Sequence, residues 1–267
     1  MSETTLQDQI DAANAYESLF VPAIFGQWAA MVADAVQVQR GQRVLDVAAG
    51  TGVLAREIAA RLGPDGRVVA IDPGPGMVVV GRQLAPAVQW REGVAESLPF
   101  ADQSFEAVVS QFGLMLFADR RRAIQEMLRV LTPGGRLAVV VWDSLASMPA
   151  YAAEVALLEQ TAGQQAANAL RIPFALGNRE ELAALFTDTS AASIEITTRH
   201  GTARFPSVRT MVEADLRGWL PVMGVVLPED QIDHILQQAE QSLSSYVADD
   251  GKMTFRLSAH IVTARKG

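Results

Sequence analysis

The chain has 267 residues, 49% of them hydrophobic, and carries a net charge of −8. That is enough apolar material for one large α/β domain, or a core with an appended subdomain, and it excludes a disordered chain. The acidic balance argues against a bulk electrostatic grip on nucleic acid, and the absence of cysteine excludes disulfides, thiolate metal sites and cysteine nucleophiles.

The opening MSETTLQDQID is polar and acidic, unlike a secretory signal. No uncharged apolar run reaches the length of a membrane span, so a cytoplasmic protein is expected. Residues 5–38 read as helical, with Trp28, Met31, Val32, Ala35 and Val36 at helical spacing. Apolar runs then alternate with helical patterns. Strands are predicted over Gln42–Ala49, Arg67–Asp72, Val88–Gly93, Phe105–Gln111 and Arg136–Trp142. Helices are predicted up to Leu62, from about Gly76, and over Arg120–Leu131. Gly63-Pro64-Asp65-Gly66 reads as a turn, and Thr132-Pro133-Gly134-Gly135 as the turn that stops the last of these helices. Continuous apolar strands separated by helices predict a parallel sheet covered on both faces.

Beyond Asp143 the pattern changes. Residues 148–187 read as alanine-rich helix broken near Ile172-Pro173. Ala192–Arg204 alternates like a strand. Residues 207–247 are helical with a break over Gly218–Pro228, and Thr254–Arg265 alternates again. The fold class predicted is α/β: a doubly wound, Rossmann-like, seven-stranded, mostly parallel sheet with helical lid insertions before the last two strands. Three segments are expected: a helical cap over 1–40, a ligand-binding core over 41–145, and the lid with the last two strands over 146–267.

The most informative stretch is VLDVAAGTGVLA, residues 44–55. Gly50-Thr51-Gly52-Val53-Leu54-Ala55 fits G-x-G-x-x-A, the dinucleotide signature. It fits the S-adenosylmethionine loop equally well. Both ligands need close backbone approach, a helix N-terminus and an acid after strand 2 for ribose hydroxyls. Asp72, 22 residues after Gly50, serves either. Asp46 discriminates. A negative charge there would repel a pyrophosphate, but it suits a donor that carries a sulfonium and an ammonium group. A nicotinamide-dependent oxidoreductase is therefore the second reading.

Four blocks in order, VLDVAAGTG, AIDPGPGM, AESLPFADQSFEAVVSQFGL and MLRVLTPGGRLAVVVWD, make Gly41–Asp143 resemble the class I S-adenosylmethionine-dependent methyltransferases. The likeness is to the branch with ubiquinone/menaquinone C-methyltransferases and small-molecule methyltransferases. The closing FRLSAHIVTARKG resembles that fold's last antiparallel strand. The resemblance implies that Ala48, Gly50, Thr51 and Gly52 wrap the methionine part of the donor, with Asp46 beside them. It implies that Asp72 receives the ribose hydroxyls, and that Pro73 and Met77 lie near the adenine. Ala95 and Glu96 would border the adenine edge, and Ser110 and Gln111 would face the methionine moiety and the substrate. Many relatives carry an aspartate before the Ala-Glu pair; here that position is Val94.

Each of these residues also has a plain structural reading. Asp72 could cap the following helix, Asp46 could fix the loop through backbone N–H groups, and Glu96 could be a solvated acid. Asp119-Arg120-Arg121-Arg122 reads as a capped, solvated helix start. No two histidines have metal-ligand spacing, so no metal is expected. His234 reads as surface, His260 as structural, and His200 as a strand residue that could touch substrate. Catalytic base candidates are Glu96, Asp143 and His200. Tyr16, Trp142 and Tyr151 are candidates for lining an acceptor pocket, whereas Trp28 reads as core.

The segment after strand 4, Ser110-Gln111-Phe112-Gly113, lacks the acid-or-Asn, Pro-Pro and aromatic pattern of DNA-base amino-methylation. Cytosine C5 and arsenite methylation both need cysteine. The expected partner is a small, fairly apolar acceptor, with no nucleic acid and no membrane span. A donor-binding protein without methyl transfer remains the third reading. The oligomeric state and the methylated atom are not readable from the sequence.

Overall fold

The computed structural model describes residues 5–267; Met1–Thr4, the start of the expected N-terminal cap, lie outside the described residues. The chain enters through α1 (Leu6–Ala15). Thr5 and Asp8 close a capping box: the Thr5 hydroxyl accepts from the Asp8 N–H at 3.2 Å, and the Asp8 carboxylate accepts from the Thr5 N–H at 2.9 Å. The helix widens into a π-helical stretch, Tyr16–Phe25, around Pro22, which has no N–H to give to a helical ladder. It then returns to α-geometry as α2 (Gly26–Ala35). By length and composition this arm, Leu6–Ala35, would qualify as a membrane span, which scanning for uncharged runs did not reveal. Its inner side, including Ala13, Ile24, Trp28, Val32 and Ala33, is buried against the rest of the protein.

The sheet has seven strands in the order β3-β2-β1-β4-β5-β7-β6. They are β1 (Arg43–Val47), β2 (Arg67–Asp72), β3 (Gln89–Glu92), β4 (Phe105–Gln111), β5 (Leu131–Trp142), β6 (Ala191–Phe205) and β7 (Met253–Lys266). The first five pair in parallel, and β7 runs antiparallel to both β5 and β6. The seven-stranded, mostly parallel Rossmann-like sheet read from the sequence is the fold observed. Helices α3 (Val53–Leu62), α4 (Pro75–Leu84) and α5 (Arg120–Val130) make the crossovers. Strand order reverses between β1 and β4, and ligands of such sheets bind outside the carboxyl ends at that point.

Thr132-Pro133-Gly134-Gly135 differs from its expected role. It lies inside β5 as an excursion: Leu131 pairs with Phe105, and pairing resumes only at Ala107 with Arg136. The helix therefore ends at Val130 and the strand begins at once, with Gly134 taking up the left-handed backbone at φ 74°.

Between β5 and β6 come α6 (Pro149–Thr161), α7 (Gln164–Arg171) and α8 (Arg179–Ala184). Between β6 and β7 come α9 (Val208–Ala214), a π-helical turn Asp215–Trp219, α10 (Leu220–Val222) and α11 (Glu229–Ser242). Phe205 pairs with Met253 at the carboxyl edge, so the whole second insertion leaves and re-enters the sheet there. The first insertion departs from that same edge after Trp142. α6 packs against both α7 and α11, which joins the two insertions to each other.

Candidate functional site

The loop after β1 is built on left-handed backbone. Ala48, Gly50 and Gly52 have φ of 56°, 57° and 87°. A non-glycine residue such as Ala48 is uncommon there, and such outliers concentrate at functional loops. Gly52 is also sterically obligatory: a Cβ there would sit 2.6 Å from the ring of Trp90, which β3 inserts beneath the loop. Gly52 caps α3, so the loop delivers a helix N-terminus to the carboxyl edge of the sheet.

Asp72 ends β2 and is 7% exposed. Its Oδ2 accepts the Gly50 N–H and its Oδ1 the Gly74 N–H, both at 2.8 Å. It thereby ties the glycine loop to the loop that starts α4. An ionised carboxylate has about four lone-pair sites, so these two bonds leave capacity for ligand hydroxyls. Burial pushes its pKa up, and the two N–H groups oppose that.

Asp46, near the end of β1, differs from Asp72 in having no partner. It is 1% exposed, and neither carboxylate oxygen has a hydrogen bond of good geometry. Burial, reinforced by the charge of Asp72, raises its pKa well above the ordinary carboxylate range, and the nearby Ala55 backbone N–H only partly opposes this. Ser110 and Gln111, at the end of the adjacent β4, behave alike. The Ser110 hydroxyl and the Gln111 Oε1 are buried without partners, while the Gln111 amide N–H donates to the Phe25 carbonyl at 3.3 Å. Four buried oxygen atoms thus lie unsatisfied near the carboxyl ends of the two strands that flank the switch point. Native interiors rarely leave such atoms unpaired, and each is a place for a ligand or ordered water.

The N-terminal arm closes over this loop. Glu17 accepts the Thr51 hydroxyl at 2.5 Å and pairs with Arg56 at 2.6 Å, while Arg56 also donates to the Thr51 carbonyl at 2.8 Å. The Thr51 hydroxyl is therefore engaged by the arm. Tyr16 packs over Gly50, 3.8 Å from where a Cβ would be, and its pKa is raised by burial and by the charges of Asp72, Glu17 and Asp46. Lower down, α1 crosses the start of α4 so tightly that a Cβ on Gly76 would lie 2.3 Å from the Gln9 carbonyl. Glu17, Arg56 and Trp90 were missed by sequence reasoning. Their only signal is a charge, or an indole, placed in an otherwise apolar face.

Of the other candidates, Tyr16 and Trp142 belong to one aromatic cluster. Trp142 stacks on Phe112 at 3.9 Å and meets Trp28 edge-on at 5.7 Å; Phe25 bridges it to Tyr16 at 5.3 Å. Tyr151 lies apart, on α6, against Phe174 and Phe255. Ala95 is buried, Met77 is half-buried, Pro73 is exposed, and Val94 is 46% exposed.

The three base candidates are not brought together. Glu96 accepts the Asp119 N–H at 3.3 Å. Asp143 is committed: the Ser258 hydroxyl and Ser144 N–H donate to it at 2.7 and 2.6 Å, and His260 lies 3.3 Å away. Burial alone would raise its pKa, but these partners outweigh burial and hold it below the usual range. His260 is a satisfied core histidine, with Nδ1 3.0 Å from the Thr198 hydroxyl and Nε2 3.0 Å from the Gly177 carbonyl. His200 is exposed on the edge strand β6. Among the described residues no group of side chains could hold a metal ion.

Residues 44–135 match the family model described as a methyltransferase domain. Over 113 residues, 42% of this chain and 46% of the relative, the chain is 49% identical to the demethylmenaquinone methyltransferase of Renibacterium salmoninarum. It is 39% identical over 119 residues, 42% of this chain and 47% of the relative, to the ubiquinone/menaquinone biosynthesis C-methyltransferase UbiE of Klebsiella pneumoniae. The match thus spans about half the length of these curated relatives. In fold it is similar to the YcgJ protein from Bacillus subtilis, with a TM-score of 0.60 at 20% identity over 90% of this chain and 98% of that one. With the sheet order, the glycine loop and Asp72 in place, residues 44–135 are similar to a methyltransferase domain, and the core resembles the matching part of the quinone methyltransferases named above.

Proposed function

We propose that the protein is an S-adenosylmethionine-dependent methyltransferase that acts on a small, fairly apolar acceptor by in-line displacement. The observation that carries this reading is the set of unpartnered buried oxygens on Asp46, Ser110 and Gln111 beside a left-handed glycine loop. A methionine ammonium offers donors only, which suits acceptor atoms left without hydrogen bonds. A pyrophosphate would meet the same oxygens with its own negative charge. When bound, the donor supplies a methyl carbon already activated by positive sulfur.

The chain's own contribution is positioning. Asp46 receives the ammonium, Asp72 keeps lone pairs for ribose hydroxyls, and Gly50 and Gly52 let the backbone approach. The Tyr16–Glu17 arm keeps water out. Alignment of this kind supplies about 7–11 kcal/mol of a barrier. Glu96 and Asp143 already hold hydrogen bonds and His200 faces solvent, which favours an acceptor that arrives already nucleophilic over one needing a protein base.

Calorimetric titration with S-adenosylmethionine, S-adenosylhomocysteine and NADH in parallel tests this. The expected result is micromolar binding of the two sulfur ligands, about −8 kcal/mol, and none of NADH. NADH binding alone would overturn the reading in favour of an oxidoreductase. Donor binding with no turnover across an acceptor panel would point to a donor-binding protein without methyl transfer.

A further inference from the structure

β6 is the outermost strand of the sheet. From Ser193 on, among the described residues, side chains reach its free edge at two points. The Gln27 amide of α2 holds both backbone groups of Thr202: it accepts the Thr202 N–H at 2.8 Å and donates to the Thr202 carbonyl at 3.0 Å. The N–H and carbonyl of one strand residue point to the same side, so Thr202 faces away from β7. Pairing with β7 is regular from Ser193 to Phe205, so Ile194, Ile196, Thr198 and His200 turn their backbone groups to that same free edge. The second contact agrees: Arg179 of α8 donates to the Ile196 carbonyl at 2.6 Å. A carbonyl has two lone pairs, so that oxygen can take a further donor. Residues 194–200 thus form an open ladder of donors and acceptors, and such edges recruit another strand.

The charges along this window are self-complementary. Glu195 and Arg199 are exposed, and the chain's ion pairs, among the described residues, all involve other side chains. They share a face but lie four residues apart, about 13 Å along a strand, too far to meet within one chain. When two copies pair antiparallel about Thr197, Glu195 of each stands directly opposite Arg199 of the other. Outward residues then meet outward residues, Ile196 with Thr198 and Ile194 with His200. The charged pairs fall at the narrow positions, where Cα atoms approach to about 4.5 Å. Other centres fail. Pairing about Glu195 or Arg199 sets like charges opposite each other. Pairing about Thr198 brings Ile194 against Thr202, which Gln27 already holds. Pairing about Ile196 leaves both charges opposite uncharged residues. On the other face, Ile194, 40% exposed, and Ile196 join Arg179, Glu180 and Ala183 in walling an open groove of about 520 Å³, beside which the second copy's Thr198 and His200 would lie.

We propose that the protein forms a two-fold dimer by antiparallel pairing of β6 with β6 of a second copy, centred on Thr197, so that the two sheets become one. Every contact is then made twice. The axis stands perpendicular to the sheet, so the carboxyl edges of the two copies point in opposite directions and both glycine loops stay clear of the interface. An interface built on one strand is small, and dissociation in the micromolar range is expected. The inference is independent of the methyl-transfer reading.

Sedimentation velocity of the full chain over about 1–200 μM tests this. Wild type is expected to pass from monomer to dimer across that range. Glu195→Arg and Arg199→Glu, each alone, set like charges opposite one another and should weaken dimerisation about tenfold or more. An equimolar mixture of the two variants restores opposite charges at both positions and should dimerise as wild type does. Circular dichroism checks that each variant folds. A second measurement needs neither: the chain has no cysteine, and the two-fold places Thr197 opposite itself, so Thr197→Cys should cross-link into a covalent dimer on mild oxidation. A wild-type chain monomeric throughout, a dimer indifferent to both single substitutions, folded variants that stay monomeric when mixed, or no cross-link through Thr197→Cys would overturn the proposal.

Discussion

Two aspartates near the ends of the neighbouring strands β1 and β2 differ in their surroundings. Asp72 is held by two well-formed backbone N–H bonds, while Asp46 has none of good geometry. Replacing Asp72 with alanine removes hydrogen bonds to a charged group, each worth about 1.5–3 kcal/mol. Donor affinity should fall at least about tenfold in calorimetry, and Asp72→Ala binding as well as wild type would refute the ribose role. Asp46 makes a different prediction. Its raised pKa favours the protonated carboxyl, and a bound cation favours the carboxylate, so binding should be coupled to release of a proton. The apparent binding enthalpy should then depend on the buffer's ionisation enthalpy, and Asp46→Asn should abolish that dependence. Both aspartates were legible from spacing. Glu17 and Arg56 were not, because their meeting joins positions 39 residues apart through the docking of a helix.

The N-terminal arm, as an element, is fixed at three places: Gly76 under α1, Glu17 on Thr51 and Arg56, and the aromatic cluster beneath Phe25. Gly76→Val would drive a side chain into the Gln9 backbone, which has no freedom to yield. Limited proteolysis should then cut within Leu6–Ala15 many times faster, with the sheet intact. Trp142→Ala removes the ring stacked on Phe112 and should destabilise the fold by about 3–5 kcal/mol in denaturant unfolding. Helical spacing predicted the arm correctly. The π-helical register around Pro22 and the absorption of Thr132–Gly135 into β5 were not readable, because each is decided by what the neighbouring strand or helix already pairs with.

For the whole molecule, buried acids set the dependence of stability on pH. Burial raises Asp215 from 3.8 to about 7, and Glu154 is raised as well. Between those values the folded chain keeps protons that the unfolded chain has released, so stability should fall as pH rises from 3.8 to about 7. Asp143 and Glu126 have lowered values and act oppositely: their contribution is present above the ordinary carboxylate range and is lost on acidification below it. Thermal unfolding at intervals across that range should show the decline, and Asp215→Asn should flatten it. A wild-type chain whose melting temperature rises over the same window would contradict this account of the pair. The sequence by itself determined the alternation of strands and helices, the switch-point loop and the acid after β2, because hydrophobic period and glycine backbone demands are local. Only the tertiary structure decided that the oxygens of Asp46, Ser110 and Gln111 are buried without partners, that Glu17 reaches the loop, and that Glu154 meets Asp215. Those facts depend on which distant surfaces exclude water together, and no local pattern encodes that.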